Sequence, residues 1–441
     1  MPDPHSDRIE RARAAMATAG IDALLLTPGA DLFYLTGFRH SHAGERLLAL
    51  LLPREGAPIW LVPEMNAGQL PAGVPPGARV IAWSDGEWFH RSLAGALAEA
   101  GVATGRIAVD DEMRAGFLLD LLRVAPAARY EPASAVMRAL RVQKDAAELA
   151  ALRAAARSVD DTIAAAIALC RPGRREREVE AELRAALLRR SPEEEVAFSI
   201  VASGPNAALP HHETGDRRLA RGDVVILDFG TRHDGYHSDI TVTCAVGEPA
   251  DPEVRRVYRV VWEAQQAALA AIRPGVPAEA VDAAARQAIA AAGYGAHFLH
   301  RTGHGIGLQV HEPPYLRAGN DAPLLPGMCF SVEPGVYLPG RFGVRLEVIA
   351  CVTEDGAALL NAPSAPDLPM APSESLDDLP GAIRAHPVDH QHLHPVERVV
   401  ASQDGFETGA DEGCLVSTGQ HEGDKRHLAQ PAGPRTTTSP A

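Results

Sequence analysis

Two aspartates occupy positions in this sequence where an uncompensated charge would be costly. Asp228 lies within the apolar, β-branched run 224–230, and Asp239 follows after a short polar connection. Burying a lone carboxylate in an apolar strand is unfavourable unless an opposite charge compensates for it. The pattern predicts a β-hairpin centred on His233 and Asp234, in which the two carboxylates lie directly opposite each other.

A second set of chemically active residues lies farther along the chain. Glu333 precedes a proline that holds it extended, and Glu347 lies within the strand-like run 343–349. The turn residues 339–341 between them predict a second hairpin. His304 lies among glycines, which let a backbone approach a ligand closely, but the segment lacks the G-x-G-x-x-G pattern of a dinucleotide site.

These five side chains have the charges and donor types of a site for two divalent cations. Four carboxylates carry four negative charges, which two such cations would balance. Carboxylate oxygens with one imidazole favour Mn²⁺, Co²⁺ or Fe²⁺ over a closed tetrahedral Zn²⁺ site. Two ions about 3.5–4 Å apart can share a hydroxide nucleophile and polarise a carbonyl group. The alternative is a set of buried carboxylates neutralised by nearby arginines, for which Arg341 and Arg345 are available.

Length, charge and cysteine use limit the class of protein. A chain of 441 residues is expected to form two or three domains. Its net charge of −15 argues against nucleic acid as the main partner. We find neither a signal-peptide pattern at the start nor an apolar run long enough to span a bilayer, so no membrane partner is expected. The five cysteines are scattered without C-x-x-C spacing, which is typical of a cytoplasmic protein.

Alternating helical and strand-like patterns predict the elements that position these residues. An α/β domain without a catalytic constellation is expected over 1–135, and the catalytic domain over 136–361. Asp145 and Glu148 form a capping box that begins a long helix in the second domain. The proline-rich region 362–441 has no sustained periodicity and is predicted to be a disordered tail. Helical periodicity also predicts further helices near 7–19, 91–101, 112–123, 176–190 and 253–272.

The motifs and their order resemble those of the M24-type metallopeptidase family, which includes prolidase, aminopeptidase P and methionine aminopeptidase. The resemblance covers roughly residues 7–361. It implies an α/β (α+β) chain with a creatinase/prolidase-type N-terminal domain followed by a pita-bread catalytic domain. The family's five metal ligands fall on Asp228, Asp239, His304, Glu333 and Glu347.

The same resemblance implies a role for each ligand. Asp239 and Glu347 would bridge both metal ions, Asp228 would complete one ion, and His304 and Glu333 would complete the other. Glu333 would also serve as general base or proton shuttle for the attacking water.

Further residues match the family's positions near the substrate. His211 would contact the substrate near the scissile bond, and His311 would orient substrate or stabilise the tetrahedral intermediate. Arg345 and Thr241 would orient ligand carboxylates. Many prolidases carry an arginine that binds the free carboxylate of a dipeptide at the position where this chain has Tyr315.

The resemblance predicts a metallopeptidase, either an Xaa-Pro dipeptidase or an Xaa-Pro aminopeptidase, acting on short proline-containing peptides with two Mn²⁺ or Co²⁺ ions. A homodimer is implied by the family. Because Tyr315 replaces the arginine, and Arg317 stands two positions on, a hydrolase of a non-peptide C–N or amide bond in a small metabolite stays open. A catalytically silent binding protein on the same fold is the remaining alternative.

Overall fold

A computed structural model describes residues 4–40, 44–73, 75–191 and 193–375 of the chain. They lie within a single unit of the chain, Met1–Ile383. They form a mixed α/β structure, in which an N-terminal domain is followed by a pita-bread domain. No helix in these ranges is both long enough and apolar enough to cross a membrane.

The N-terminal domain is a mixed sheet with helices on both faces. Its strands are β1 (Ala23–Leu26), β2 (Ala49–Pro53), β3 (Ile59–Pro63), β4 (Arg79–Trp83), β5 (Arg106–Val109) and β6 (Arg129–Pro132). They lie in the order β4-β3-β2-β1-β5-β6, with β1 antiparallel to β2 and parallel to β5. The central strands are buried on both faces, which explains their nearly continuous apolar sequences.

Side chains of β1 alternate between two cores. Leu24 and Leu26 pack with helices on one face, whereas Ala23 and Leu25 pack with helices on the other. The first group is α1 (Pro4–Ala19), α2 (Ala30–Thr36) and α5 (Ser134–Arg141), and the second is α3 (His90–Glu99) and α4 (Ala115–Val124). A short 3₁₀ helix, Glu64–Gln69, follows β3.

The long helix of the second domain begins at the predicted capping box. Asp145 accepts hydrogen bonds from the backbone of Ala147 and Glu148, and the Glu148 carboxylate accepts the Asp145 N–H at 2.8 Å. This box satisfies N–H groups that have no partner within the helix. The predicted capping box is therefore confirmed. The helices are α6 (Ala146–Leu169), α7 (Glu176–Arg190), α8 (Val254–Ala271) and α9 (Ala278–Ala291).

Two sheets and a separate hairpin make up the rest of this domain. In chain order the strands are β7 (Glu195–Ser203), β8 (Val224–His233), β9 (Tyr236–His237), β10 (Ile240–Val246), β11 (Gly303–Gly305), β12 (Glu312–Leu316), β13 (Cys329–Val332), β14 (Gly335–Leu338), β15 (Phe342–Arg345), β16 (Val348–Val352), β17 (Ala357–Leu359) and β18 (Met370–Ala371). One sheet has the order β18-β10-β8-β7, with β9 beside β8, and the other has the order β12-β11-β13-β16-β17. Strands β14 and β15 pair with each other. Short 3₁₀ helices cover Gly204–Ala208 and Gly295–His297.

The helices of this domain pack on opposite sides of the strands that carry the charged residues. Val225, Leu227 and Phe229 of β8 pack with α6 and α7. The intervening residues of β8, including Asp228, therefore point to the other face of the sheet. Helices α8 and α9 pack with the second sheet and the β14–β15 hairpin. The carboxylate of Asp228 thus faces the interior between the two sheets.

The predicted start of the tail is wrong. Residues 362–375 follow the catalytic domain, where the Ala365 carbonyl accepts a hydrogen bond from the Tyr258 hydroxyl at 2.9 Å. Strand β18 adds to the edge of the first sheet, parallel to β10. Main-chain bonding of an extended edge segment needs no side-chain periodicity, so the sequence pattern carries no sign of it. The remainder of the predicted tail, 376–441, lies outside the described residues.

Candidate metal centre

The first predicted hairpin exists, but its register differs from the prediction. Asp234 and Gly235 form its turn with φ values of 47° and 93°, the positive φ that a two-residue type I′ turn needs. Asp228 is consequently opposite Thr241 rather than Asp239. Because side chains alternate along a strand, a shift of two residues keeps Asp239 on the same face. The two carboxylates are diagonal neighbours.

A close backbone approach fixes the position of Asp239, between β9 and β10. A Cβ atom on Gly230 would lie 2.0 Å from the carbonyl oxygen of Ser238. The Ser238 N–H donates to the Thr231 carbonyl, and the Thr231 N–H donates to the Ser238 hydroxyl, each at 2.9 Å. Only glycine at position 230 leaves room for this arrangement.

The second predicted hairpin is confirmed, and the two glutamates lie where it passes from one sheet to another. Strands β14 and β15 pair on one side of the glutamates, and β13 and β16 pair on the other. At the break, the Glu333 N–H donates to Thr302 O at 2.8 Å, and the Glu347 N–H donates to Thr241 O at 3.0 Å. Glu347 therefore lies between two strands, not inside one as predicted. These backbone bonds join the second hairpin to the first hairpin and to the segment of His304.

His304 lies on β11, where glycines let neighbouring strands come close. A Cβ on Gly303 would lie 1.9 Å from Ser331 O, and one on Gly305 would lie 2.2 Å from Pro313 O. The glycines therefore admit neighbouring strands, whereas the sequence predicted close approach of a ligand. The His304 N–H donates to Ser331 Oγ at 3.1 Å.

The imidazole of His304 has a defined tautomer. Its Nδ1 lies 3.1 Å from the Gly305 carbonyl oxygen, which can only accept, so Nδ1 carries the proton. Nε2 then presents its lone pair to Asp239 Oδ2 at 3.5 Å and Glu333 Oε1 at 3.3 Å. Burial lowers the pKa of His304 to about 3, with a further contribution from His311. The ring is therefore neutral at neutral pH, which is the form that binds metals.

The five predicted ligands form overlapping groups of donor atoms. Asp228, Asp239 and Glu347 form one group, and His304, Glu333 and Glu347 form another, with all donor atoms of a group within 4.8 Å of one another. Atoms bound to one ion at about 2.1 Å can be no more than roughly 4.2 Å apart, so small movements suffice to form the bonds. Asp239 belongs to a third group, with His304 and His311.

The charges in this centre are compatible with divalent cations. Burial and mutual repulsion raise the pKa of Asp239 and Glu347 well above the usual range, and burial raises the pKa of Glu333 to about 7. Among the described residues, no group hydrogen-bonds to the buried atoms Asp228 Oδ1 and Glu347 Oε1. Cations would supply both the missing charge and the missing contacts. The residues therefore fit a divalent metal site.

Neutralisation by arginines alone does not account for the four carboxylates. Arg345 Nη2 lies 2.5 Å from Asp228 Oδ2. Arg341, the other arginine considered from the sequence, instead pairs with Asp251 and Glu253 on the surface. Of the two arginines considered, only Arg345 forms an ion pair with one of the four carboxylates.

Arg345 and Thr241 connect the two hairpins. Arg345 Nε donates to the Thr241 hydroxyl at 3.1 Å, and this hydroxyl donates to Glu347 Oε2 at 2.7 Å. Arg345 Nη1 also donates to the Tyr337 hydroxyl at 3.1 Å and to the Pro210 carbonyl at 3.2 Å. Arg345 therefore contacts the acidic centre, the second hairpin and the loop that precedes His211.

A cavity of about 870 Å³ opens onto the acidic centre. His211 and His311 lie on its wall and are exposed to it. The His311 ring stands edge-on to the His304 ring, with centroids 4.1 Å apart. Burial lowers the pKa of His311, and the charge of Arg301 lowers it further. All nine residues predicted for the site thus lie in or beside one cavity.

The sequence predictions miss Tyr337, which lies behind the cavity wall, and Arg301, which lines the cavity. Tyr337 is fully buried and its hydroxyl lies 2.8 Å from His300 Nε2. A tyrosine in an apolar strand needs a hydrogen-bond partner, which is a signal that the sequence does contain. Arg301 has its guanidinium carbon 4.7 Å from the centre of the Tyr315 ring. Arg301 precedes β11 and Tyr315 lies on β12, so no local sequence pattern indicates this contact.

Two family models match the chain. The model for metallopeptidase family M24 matches residues 150–354, and the model for the creatinase/prolidase N-terminal domain matches residues 8–143. The chain is 47% identical over 362 residues to the probable dipeptidase PepE of Mycobacterium tuberculosis, covering 81% of this chain and 94% of the relative. It is 30% identical over 360 residues to the Xaa-Pro dipeptidase of Pyrococcus horikoshii, covering 81% of this chain and 97% of the relative.

Solved structures are similar over the same part of the chain. The dipeptidase PepE from Mycobacterium ulcerans has a TM-score of 0.77 at 43% identity, with 84% of this chain and 98% of that chain covered. The recombinant prolidase from Thermococcus sibiricus has a TM-score of 0.80 at 37% identity, with 84% of this chain and 100% of that chain covered.

Proposed function

The chain belongs to metallopeptidase family M24, and on that premise we propose that it hydrolyses the Xaa-Pro bond of dipeptides with two divalent cations. The observation that carries this proposal is the set of overlapping donor groups at the cavity wall. Relatives named dipeptidase and Xaa-Pro dipeptidase support a dipeptide substrate with proline in second position. A solved structure named X-Pro aminopeptidase is 30% identical to this chain, so longer peptides are a second substrate class to be tested.

Asp239 and Glu347 are the ligands that we propose to be shared by both cations. Glu347 belongs to both groups made up of proposed ligands only, and Asp239 groups with Asp228 and Glu347 and also with His304. Each is a carboxylate with two oxygens, so it can bind two ions at once, which the single free nitrogen of His304 cannot do. Asp228 completes one ligand set, and His304 and Glu333 complete the other. The oxygen-rich donor set favours Mn²⁺ or Co²⁺. When bound, the cations would polarise the scissile carbonyl and lower the pKa of the attacking water.

Glu333 would accept the proton of the attacking water and pass it to the leaving proline nitrogen. Its side chain is 15% exposed, compared with 7% for Asp239 and 11% for Asp228. Glu333 is therefore the carboxylate of these three that is most open to the cavity. The Ser331 hydroxyl donates to Glu333 Oε1 at 3.2 Å and holds its orientation. This accessibility supports Glu333 as general base.

His211 and His311 would contact the peptide. Both are exposed to the cavity, whereas His304 is buried. His311 is neutral at neutral pH because its pKa is lowered, so it can donate one N–H to the charge that develops on the carbonyl oxygen. The bond from Arg345 to the Pro210 carbonyl supports a fixed position for His211.

We also propose a homodimer in the cytoplasm. The N-terminal domain exposes several large apolar side chains that a partner subunit could cover, namely Met65, Val80, Leu119 and Leu122. Cys170, Cys244, Cys329 and Cys351 are buried free thiols, which supports a reducing compartment.

Kinetics with Mn²⁺-reconstituted protein test the proposed function. We expect hydrolysis of an Xaa-Pro dipeptide, slower hydrolysis of Xaa-Pro-Yaa, and loss of both in Asp239→Ala. Preference for Xaa-Pro-Yaa would favour an aminopeptidase. Bound metal without hydrolysis of either peptide would favour a hydrolase of another amide bond, such as that of an N-acyl amino acid.

A further inference from the structure

Arg301 is the half-buried arginine of the cavity whose guanidinium forms neither an ion pair nor a hydrogen bond with any residue that the structure describes. We propose that Arg301 binds the C-terminal carboxylate of the dipeptide and that Tyr315 positions the guanidinium for this contact. This inference rests on the proposed function, because a dipeptide brings a free carboxylate next to the scissile bond. It would make Arg301 the residue that selects dipeptides over longer peptides.

The other cavity arginines are already engaged or lie at the surface. Arg345 is bound to Asp228 and Thr241. Arg286 donates to Asp282 at 2.7 Å and to the Phe298 carbonyl at 3.2 Å. These two guanidinium groups hold the protein itself together, so they are not available to a ligand.

Arg317 is an exposed residue at the cavity edge. Its Nη1 donates to the carbonyl of its own neighbour, Ala318, at 2.9 Å. A solvated, locally bonded guanidinium binds an anion weakly, because water screens the charge. Arg317 is therefore the natural comparison for Arg301.

Arg301 is half-buried and makes no direct contact with a carboxylate of the described residues. Within the described ranges it forms no ion pair with an acidic residue, and no hydrogen bond from its guanidinium is found. Its side chain lines the same cavity as Glu333 and His311. A half-buried cation facing a ligand cavity is costly unless an anion arrives there.

The contact with Tyr315 leaves N–H groups of the Arg301 guanidinium available for hydrogen bonds. The guanidinium carbon lies 4.7 Å from the centre of the Tyr315 ring. A cation–π contact occupies no oxygen acceptor, so N–H groups of the guanidinium stay available to a ligand. Two of these N–H groups match the two oxygens of a carboxylate. The contact with Tyr315 therefore leaves N–H groups of Arg301 available to a carboxylate in the cavity.

The position along the strand matches the size of a dipeptide. Tyr315 is opposite His304 in the β11–β12 pair, and Arg301 precedes β11 by two residues. Two extended residues span at most about 7 Å. The group that binds the C-terminal carboxylate of a dipeptide must therefore lie close to the metal ligands. A longer peptide would place an amide and further residues against this guanidinium instead.

The test compares an Xaa-Pro dipeptide with the same dipeptide amide, in the Mn²⁺-loaded enzyme. We expect the wild type to prefer the free acid by about 10- to 100-fold in kcat/KM, the range for hydrogen bonds to a charged group. Arg301→Gln should remove this preference, mainly by raising KM for the acid, and should lower kcat/KM for the amide far less than kcat/KM for the acid. Arg301→Lys keeps the positive charge but lacks the planar pair of N–H donors of a guanidinium. It should therefore show part of the wild-type preference for the acid.

Arg317→Gln is the matched control and should keep the preference of the wild type. Loss of the preference in Arg317→Gln with its retention in Arg301→Gln would overturn the inference. Equal hydrolysis of acid and amide by the wild type would also overturn it, while leaving the proposed hydrolase activity intact. Failure of the wild type to hydrolyse both compounds would instead contradict the proposed function on which the inference rests.

Discussion

Arg345 is the side chain that links the acidic residues of both hairpins. Its ion pair with Asp228 and its bond to Thr241 lie in the interior, where the exposed fraction of Arg345 is 5%. A charge buried at this depth is stable only while its partner is present. At the scale of single residues, the acidic centre therefore depends on one guanidinium and on the cations that its ligands fit.

Replacing Arg345 by methionine should destabilise the metal-free protein by about 3–5 kcal/mol, because Asp228 would be left buried without its partner. Added Mn²⁺ should recover part of the loss, since a cation bound to Asp228 would supply the missing charge. Urea unfolding with EDTA and with Mn²⁺ measures both effects. Arg341→Met is the control, because its ion pairs are solvent-exposed and screened by water. Equal stability of the two variants would contradict this role of Arg345.

His300 should make the stability depend on acid pH. Burial lowers its pKa to about 4, from about 6.5 in the unfolded chain. The unfolded chain therefore binds the proton first, and the stability is lost as pH falls from 6.5 towards 4. Between pH 6.5 and 4.5 this loss amounts to about 2 kcal/mol. Urea unfolding of the metal-free protein at pH 6.5 and 4.5 measures the decrease in the free energy of unfolding between these pH values. This decrease should be smaller in His300→Gln than in the wild type by that amount. An equal decrease in both proteins would rule the effect out.

The elements of the site differ in how well their sequences reveal them. Both hairpins and the capping box at Asp145 follow from local patterns of turn residues and alternating apolar residues. The register of the first hairpin does not, because it depends on the turn Asp234–Gly235 rather than on which charged residues would face each other. The break at Glu347 also escapes prediction, since its backbone bonds to residues distant in sequence.

Close packing of backbone at Gly230 is the local feature on which the first hairpin depends most. Gly230→Ala would place a methyl group 2.0 Å from the Ser238 carbonyl. We expect a loss of at least about 2 kcal/mol in the free energy of unfolding and weaker Mn²⁺ binding, because Asp239 would move with Ser238. Gly86→Ala, at a glycine whose added Cβ would meet nothing within 4 Å, should change neither quantity appreciably. Comparable effects at the two positions would argue against this explanation.

At the scale of the whole molecule, an ion-pair cluster joins the N-terminal domain to the catalytic cavity. Glu312, next to His311, pairs with Lys144 at 2.8 Å and with Arg141 at 2.5 Å. Arg141 also pairs with Asp31 of the N-terminal domain at 2.7 Å. Lys144 and Arg141 hold the pKa of Glu312 below its usual range against the effect of burial. The N-terminal domain therefore contributes to the position of the strand that carries His311.

Glu312→Gln should destabilise the protein by about 3–5 kcal/mol, because the buried Lys144 would lose its anionic partner and Arg141 would keep only Asp31. It should also lower kcat for the dipeptide, since His311 would lose its fixed neighbour. Thermal unfolding and steady-state kinetics measure the two effects. The control is Asp367→Asn, whose ion pair with Arg259 is exposed and contributes less than about 1 kcal/mol. A Glu312→Gln variant as stable and active as the control would show that the cluster does not position the site.

Titration of metal-free protein with Mn²⁺ tests the central claim most directly. The metal bound per chain and the rate of Xaa-Pro dipeptide hydrolysis are measured in the same samples. We predict that hydrolysis is absent after chelation and reaches its maximum as two Mn²⁺ ions bind per chain, and that Glu347→Ala loses both metal binding and activity. Full activity in chelated protein, or in Glu347→Ala, would contradict the account.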